Sequence, residues 1–181
     1  MLELLVQSLT LVLPIFISGI VFIIVLKDDR VHFFDTPVDF GQKIFGKRIF
    51  GDNKTWCGVV VYVLFSLAVC VLLHELYSSL GNYVHPVFSQ PALYVGLVFS
   101  ISYVCGELLN SFIKRRFDIA PGKSTGRPVQ QVIDNVDGML MTALALITLL
   151  SVSLGSIAVA LVAGFLLHEI TDVVMRQLHL K

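Results

Sequence analysis

Asp134 and Asp137 stand three residues apart, a spacing that puts both carboxylates on one face of a helix. Two oxygen donors at a polar helix end suit Mg²⁺, which takes a few carboxylates and completes its shell with water and substrate phosphates. Taken alone, such a pair is more often a helix cap, because acidic residues in a first turn are favoured by the helix dipole. The cations nearby shift that balance. Lys114-Arg115-Arg116 lie about twenty residues upstream, with Lys123 and Arg127 in between. Attraction to anionic lipid, about 1 kcal/mol per basic residue near a membrane surface, would account for the cations but not for the paired aspartates. Carboxylates that can hold a divalent ion, facing a dense cationic loop, read as a phosphate site.

Glu107 sits within an apolar run, where an ionisable group costs about 2.5–3.5 kcal/mol to insert and is a functional candidate by default. Asn110, Ser111 and Lys114 follow it at helical spacing, so the four share one polar stripe. Inter-helix hydrogen bonding is the plainer reading of that stripe; lining a site is the sharper one. His168, Glu169 and Asp172 form a second group, in which His168 and Asp172, four apart, are spaced to pair. Two glycine motifs are near misses for a phosphate-binding loop. Gly41 to Lys47 has the G-x-x-x-x-G-K spacing but Arg48 where Ser or Thr is needed, and Gly122-Lys123-Ser124-Thr125 has Phe117 in place of the first glycine.

These residues need elements to hold them, and hydropathy supplies the candidates. Hydrophobic residues make up 56% of the 181, charged residues 14%, and mean hydropathy is +0.84, outside the soluble globular range. Five runs are expected to cross a bilayer, at about 4–26, 56–73, 92–113, 133–150 and 157–174. Pro14 and Gly19 are placed to kink the first, and Trp56 is placed as an interfacial anchor for the second. The expectation is an all-α integral membrane protein of one domain, 1–181; a removable leader is the weaker reading of the first run, since a basic start and a small-residue cleavage site are both lacking.

All thirteen Lys and Arg fall into three groups: Lys27 to Lys54, Lys114 to Arg127, and Arg176 with Lys181. The stretches Met1–Glu3, Tyr77–Pro91 and Ser151–Ser156 carry none. Basic residues near span ends are retained in the cytoplasm, so the expected topology has the N-terminus outside and two polar cytoplasmic loops, 27–55 and 114–132, forming the site. In the first loop Gly41, Gly46 and Gly51 alternate with Phe40, Phe45 and Phe50. That regularity suits a re-entrant or interface-hugging segment; an ordinary connector whose rings dip into the headgroups is the equal alternative. Cys57, Cys70 and Cys105 lie in or beside spans without a C-x-x-C pair and read as small apolar residues, with no disulfide framework.

Thr36-Pro-Val-Asp39-Phe-Gly41, Gly46-Lys-Arg-Ile-Phe-Gly51-Asp52-Asn53-Lys54-Thr55-Trp56, Gly106-Glu107-Leu108 through Ser111 to Arg116, and Asp134-x-x-Asp137 together resemble the CDP-archaeol synthase family. That family is related to the CDP-diacylglycerol synthases. The resemblance covers essentially the whole chain. It implies transfer of CMP from CTP to a lipid phosphate at the plasma membrane, giving a CDP-lipid and pyrophosphate. CTP, a lipid phosphate (an archaeal-type diether glycerol phosphate or phosphatidic acid) and membrane lipids are the implied partners. No nucleic acid is expected, and homodimerisation is left open. By resemblance Asp134 and Asp137 bind Mg²⁺, and Lys54, Lys114 and Arg115 join them as catalytic residues. Asp52, Asn53, Thr55, Glu107, Ser111, Arg116, Lys123 and Arg127 are assigned to substrate. The chain departs from the family pattern at Cys57, where Arg is usual, and at Gly19, where Asn is frequent. The competing reading is a non-catalytic lipid-binding protein or small transporter with a degenerate site. A CDP-alcohol phosphotransferase is set aside, because Asp137-Gly138 lacks the further aspartates that class needs.

Overall fold

The computed structural model describes residues 2–25, 35–120 and 128–177, and within them the chain is a helical bundle. Its helices are α1 (Leu2–Thr10), α2 (Leu13–Val25), α3 (Trp56–Leu80), α4 (Ala92–Arg116), α5 (Pro128–Leu150) and α6 (Leu154–Gln177). Among these, α3, α4 and α6 are each long and apolar enough to cross a membrane, and α1 with α2 makes a fourth if the bent pair counts as one span. The apolar part of α5, Val136–Leu150, is shorter.

The expected first span is broken. α1 and α2 meet at 40° around Leu11–Val12, just before Pro14. Proline has no N–H to give the carbonyl four residues back, and its ring crowds that carbonyl. The chain responds by tightening, with Leu11 N–H donating to Ser8 O and Val12 N–H to Leu9 O. The sharp break lies just ahead of the proline and not at Gly19. Elsewhere the helices outrun the expected spans: α3 continues to Leu80, and Pro86–Ser89 forms a 3-10 turn between α3 and α4.

The first polar loop is not all-α. Within its described part, 36–38 zips against 54–56, Val38 N–H donating to Lys54 O at 2.8 Å and Trp56 N–H to Thr36 O at 3.0 Å. Between them β1 (Lys43–Ile44) pairs antiparallel with β2 (Lys47–Arg48). Phe40-Gly41 and Phe45-Gly46 form consecutive left-handed pairs, with φ of 47°, 79°, 52° and 77°. Gln42 N–H donates to Asp39 O at 2.8 Å across the first pair, and the second joins β1 to β2. Both have the backbone of a type I′ turn, where Asn-Gly is the usual sequence. A phenylalanine there carries roughly 1–2 kcal/mol of strain.

The apolar core occupies the end of the bundle away from this loop. Phe88 of the 3-10 turn stacks on Phe99 of α4, ring centroids 6.0 Å apart, among Cys70, Leu73, Val95 and Leu146. Cys57 and Cys70 are buried as expected, whereas Cys105 is exposed on the outer surface of α4.

Helix α4 crosses α5 at two glycines. A Cβ on Gly106 would stand 2.6 Å from Asp137 O, and one on Gly138 2.5 Å from the Tyr103 ring. Small residues let helix backbones approach this closely. Gly106→Ala should therefore force α4 from α5 and destabilise the protein by about 1–3 kcal/mol, as over-packing does. Gly155→Ala, where the nearest atom is 4.0 Å away, is the control. Thermal midpoints in detergent check the pair: a drop for the first and little change for the second.

Candidate functional site

The close approach at Gly106 sets the site one turn further along α4. Asn110 projects its amide between both aspartates of α5, Nδ2 donating to Asp134 Oδ1 at 2.9 Å and to Asp137 Oδ2 at 2.7 Å. Both carboxylate oxygens thus lie within hydrogen-bond reach of one atom. Lys114, a turn beyond, donates to Asp134 Oδ2 at 2.8 Å. Asp137 Oδ1 also accepts from the Gly138 N–H at 2.6 Å. Helical spacing thus delivers the stripe on α4 and the pair on α5 face to face.

Lys54 comes from the other side. The pairing of 36–38 with 54–56 fixes its backbone, and Thr55 caps α3, its Oγ1 accepting from the Gly58 N–H at 3.4 Å. Lys54 Nζ then donates to Glu107 Oε2 at 2.5 Å. This joins the loop to the α4 stripe 53 residues later in the chain. Beside that pair is a cleft of about 380 Å³, its open mouth included, walled by Phe22, Asn53, Lys54, Thr55, Tyr62 and Glu107 among others. Tyr62 stacks on Tyr103 with centroids 4.6 Å apart, packing α3 on α4. Asp134, Asp137 and Lys114 are not among the cleft walls.

Asp39 holds the loop in shape. Its carboxylate is fully buried and accepts from Arg48 Nη2 at 2.6 Å, Arg48 Nε at 3.3 Å, and the N–H groups of Gly41, Phe50 and Gly51 at 2.9–3.0 Å. Burial alone would favour the neutral acid. The Arg48 guanidinium and the three N–H groups outweigh it and hold the carboxyl well below the usual carboxylate range. Arg48 is correspondingly held above its ordinary value by Asp39 first and Asp52 second. Asp52 is exposed and accepts from Arg48 Nη1 at 2.6 Å.

The remaining cations are placed differently. Arg115 is buried and gives Nε to Phe50 O at 3.0 Å and Nη1 to Ile119 O. Arg116 donates to Ile44 O at 2.6 Å, Lys47 O at 3.1 Å and Arg48 O at 2.6 Å, its guanidinium over the Phe112 ring. Among the described residues their hydrogen-bond partners are main-chain carbonyls, and through them they clasp the hairpin and Phe50 to α4. Lys47 completes the clasp, donating to Arg116 O and Asp118. Ser111 is buried on α4. Lys123 and Arg127, and the side chain of Asp172 with which His168 was expected to pair, lie outside the described residues. Gly41 and Gly46 belong to the hairpin turns and lead into no helix, in keeping with the rejection of a phosphate-binding loop there.

The arrangement offers hard oxygen donors flanked by two lysines at one end of an apolar bundle. Asn110 was visible in the stripe but not ranked with the site; its position three after Glu107 and four before Lys114 was the available signal. Asp39 stood out only as part of the Thr36–Gly41 motif and carried no assigned role, since a lone loop aspartate by itself reads as solvated.

The family model described as CarS-like, CDP-archaeol synthase, matches residues 1–181. A CDP-archaeol synthase from Sulfurisphaera tokodaii is 32% identical over 81% of this chain and 80% of its own length. Another from Pyrobaculum arsenaticum is 33% identical over 80% of this chain and 79% of its own. A solved structure of an intramembrane enzyme for archaeal membrane lipids biosynthesis superposes with a TM-score of 0.61, covering 87% of this chain and 91% of that one. At 23% identity this last likeness speaks to the fold.

Proposed function

The chain belongs to the CDP-archaeol synthase family, and on that premise we propose that it transfers CMP from CTP to the phosphate of an archaeal-type diether glycerol lipid, releasing pyrophosphate. In this reading five segments cross the plasma membrane, α1 and α2 together forming the first and α5 the fourth. The N-terminus is outside, and the site opens to the cytoplasm, where CTP is found.

The observation that carries the reading is the Asn110 amide gathering Asp134 and Asp137 beside Lys114, with Glu107 one turn back on the same helix holding Lys54 of the loop. The donor set fits Mg²⁺: both carboxylates bring hard oxygens to one point, and an ion of this kind keeps several waters and binds substrate phosphates as well. Among the described residues no three His, Cys, Asp or Glu form a complete cage, so substrate and water would supply the rest. Asp134 and Asp137 would hold the ion, which when bound neutralises charge on the triphosphate.

The reaction asks little else of the protein. A lipid phosphate monoester is largely dianionic at neutral pH, its second pKa being about 6, so its oxygen attacks the α-phosphorus of CTP without a general base. One P–O bond forms to the lipid phosphate, the α–β P–O bond breaks, and pyrophosphate leaves with its electron pair. Catalysis then rests on alignment and on cations placed where charge moves. Lys54 and Lys114 carry three donors each, and among the described residues each commits one to a carboxylate. The others are open to phosphate oxygens. Asn53 and Thr55 line the adjoining cleft, and Glu107 orients Lys54.

Purified protein given Mg²⁺, CTP and a diether glycerol phosphate should release pyrophosphate, and the same assay with phosphatidic acid tests tail selectivity. Turnover with the diacyl lipid alone would reassign the substrate. Absence of turnover with either would support the degenerate-site reading.

A further inference from the structure

We infer that the β1–β2 hairpin is a membrane anchor, its Phe40 and Phe45 rings buried in the headgroup layer of the leaflet next to the site. Phe45 is 93% exposed and Phe40 65% exposed in the protein alone, and Phe117, the residue just past the end of α4, is 74% exposed. The two hairpin rings sit at the left-handed positions of tight turns, where asparagine would be unstrained. Neither fold stability nor water solubility accounts for a phenylalanine there. An apolar phase outside the protein does.

The place of the hairpin identifies that phase. The apolar run of α4 ends at Ile113, and Lys114-Arg115-Arg116 mark the level at which a span meets the headgroups. Arg116 holds the carbonyls of Ile44, Lys47 and Arg48, so the hairpin is tied within one side chain's reach of that level. Phe40 lies 6.2 Å from the Trp56 ring, the first residue of the apolar α3 and a natural member of an interfacial aromatic belt. Ile44, 39% exposed, and the exposed Lys43 adjoin Phe45, combining apolar insertion with attraction for anionic lipid. The loop holding Lys54 is then steadied from two sides, by the Arg116 clasp within the protein and by the lipid surface beyond it.

Trp56 is the chain's single tryptophan, so a clean reporter is available. In a Trp56→Phe background, Phe45→Trp protein is reconstituted in phosphatidylglycerol/phosphatidylcholine nanodiscs. The expected emission is blue-shifted, quenched at least twofold more by lipids brominated near the headgroup than by lipids brominated near the chain end, and shielded severalfold from iodide relative to N-acetyltryptophanamide. Emission and iodide quenching equal to that free analogue would overturn the anchor by placing the ring in water. Shielding from iodide without bromolipid quenching would overturn it by placing protein over the ring. Phe40→Trp in the same background gives a second reading if the Phe45 variant does not fold.

Discussion

Asp137→Asn should lower CMP transfer by at least about 10²-fold, a loss of the size seen when a charge-stabilising group is removed from a catalytic centre. The substitution keeps shape and volume, and its amide oxygen can still accept from Asn110, which now donates to Asp137 at 2.7 Å. What disappears is a negative charge, and with it one oxygen ligand of the quality a divalent ion requires. Thermal stability in detergent should move little, and raising Mg²⁺ should restore the rate only partly. A variant with unchanged turnover would remove Asp137 from the centre. Asn110→Ala should cost less, about 10–100-fold, because it orients the two carboxylates and does not carry the charge.

The second large effect lies away from the centre. Asp39→Asn should release the loop that carries Lys54, at a cost of about 3–5 kcal/mol, the range for breaking one partner of a buried pair. Five donors converge on that carboxylate, three of them main-chain N–H groups. An amide of the same shape cannot accept them all, and Arg48 is left with Asp52 alone. The helices have their own packing, so the loss should be local. Hydrogen exchange at Phe50 and Gly51 should accelerate by about 10²-fold or more, at about 1.4 kcal/mol per factor of ten, while amides near Phe99 stay protected. Exchange unchanged at Phe50 and Gly51 would show that the loop is held by something else.

The same carboxylate sets the pH response of the loop. Its pKa is depressed in the folded protein, so its stabilising contribution is complete above the unfolded value of about 3.9 and drains away as pH falls below it. Protection of Phe50 and Gly51 should be flat from neutral pH to about 5 and decline in stronger acid.

Local patterns in the sequence exposed most of the candidate residues that meet in the structure. The three-residue spacing of Asp134 and Asp137 and the stripe from Glu107 to Lys114 are periodic, and periodicity survives translation into a helix. Pro14 foretold a bend for a reason that depends only on its missing N–H, although not the residues at which the chain yields. Pairings between distant segments were hidden. Nothing in the sequence joins Lys54 to Glu107 or Arg116 to the carbonyls of Ile44, Lys47 and Arg48, because those contacts depend on how loop and bundle pack. The short β-hairpin was hidden for another reason: at its turns Phe stands where Asn or Gly would have announced it. Arg115 and Arg116 read as phosphate ligands by charge, and their hydrogen bonds to main-chain carbonyls of the hairpin, Phe50 and Ile119 were equally hidden.

The fate of the α-phosphate decides the central claim. Protein in nanodiscs, supplied with Mg²⁺, a diether glycerol phosphate and CTP labelled either at the α- or at the γ-phosphorus, should move the α-label into lipid and leave the γ-label in pyrophosphate, in equal amounts. Failure of the α-label to enter lipid with any lipid phosphate, in protein that is folded and still binds CTP, would contradict it.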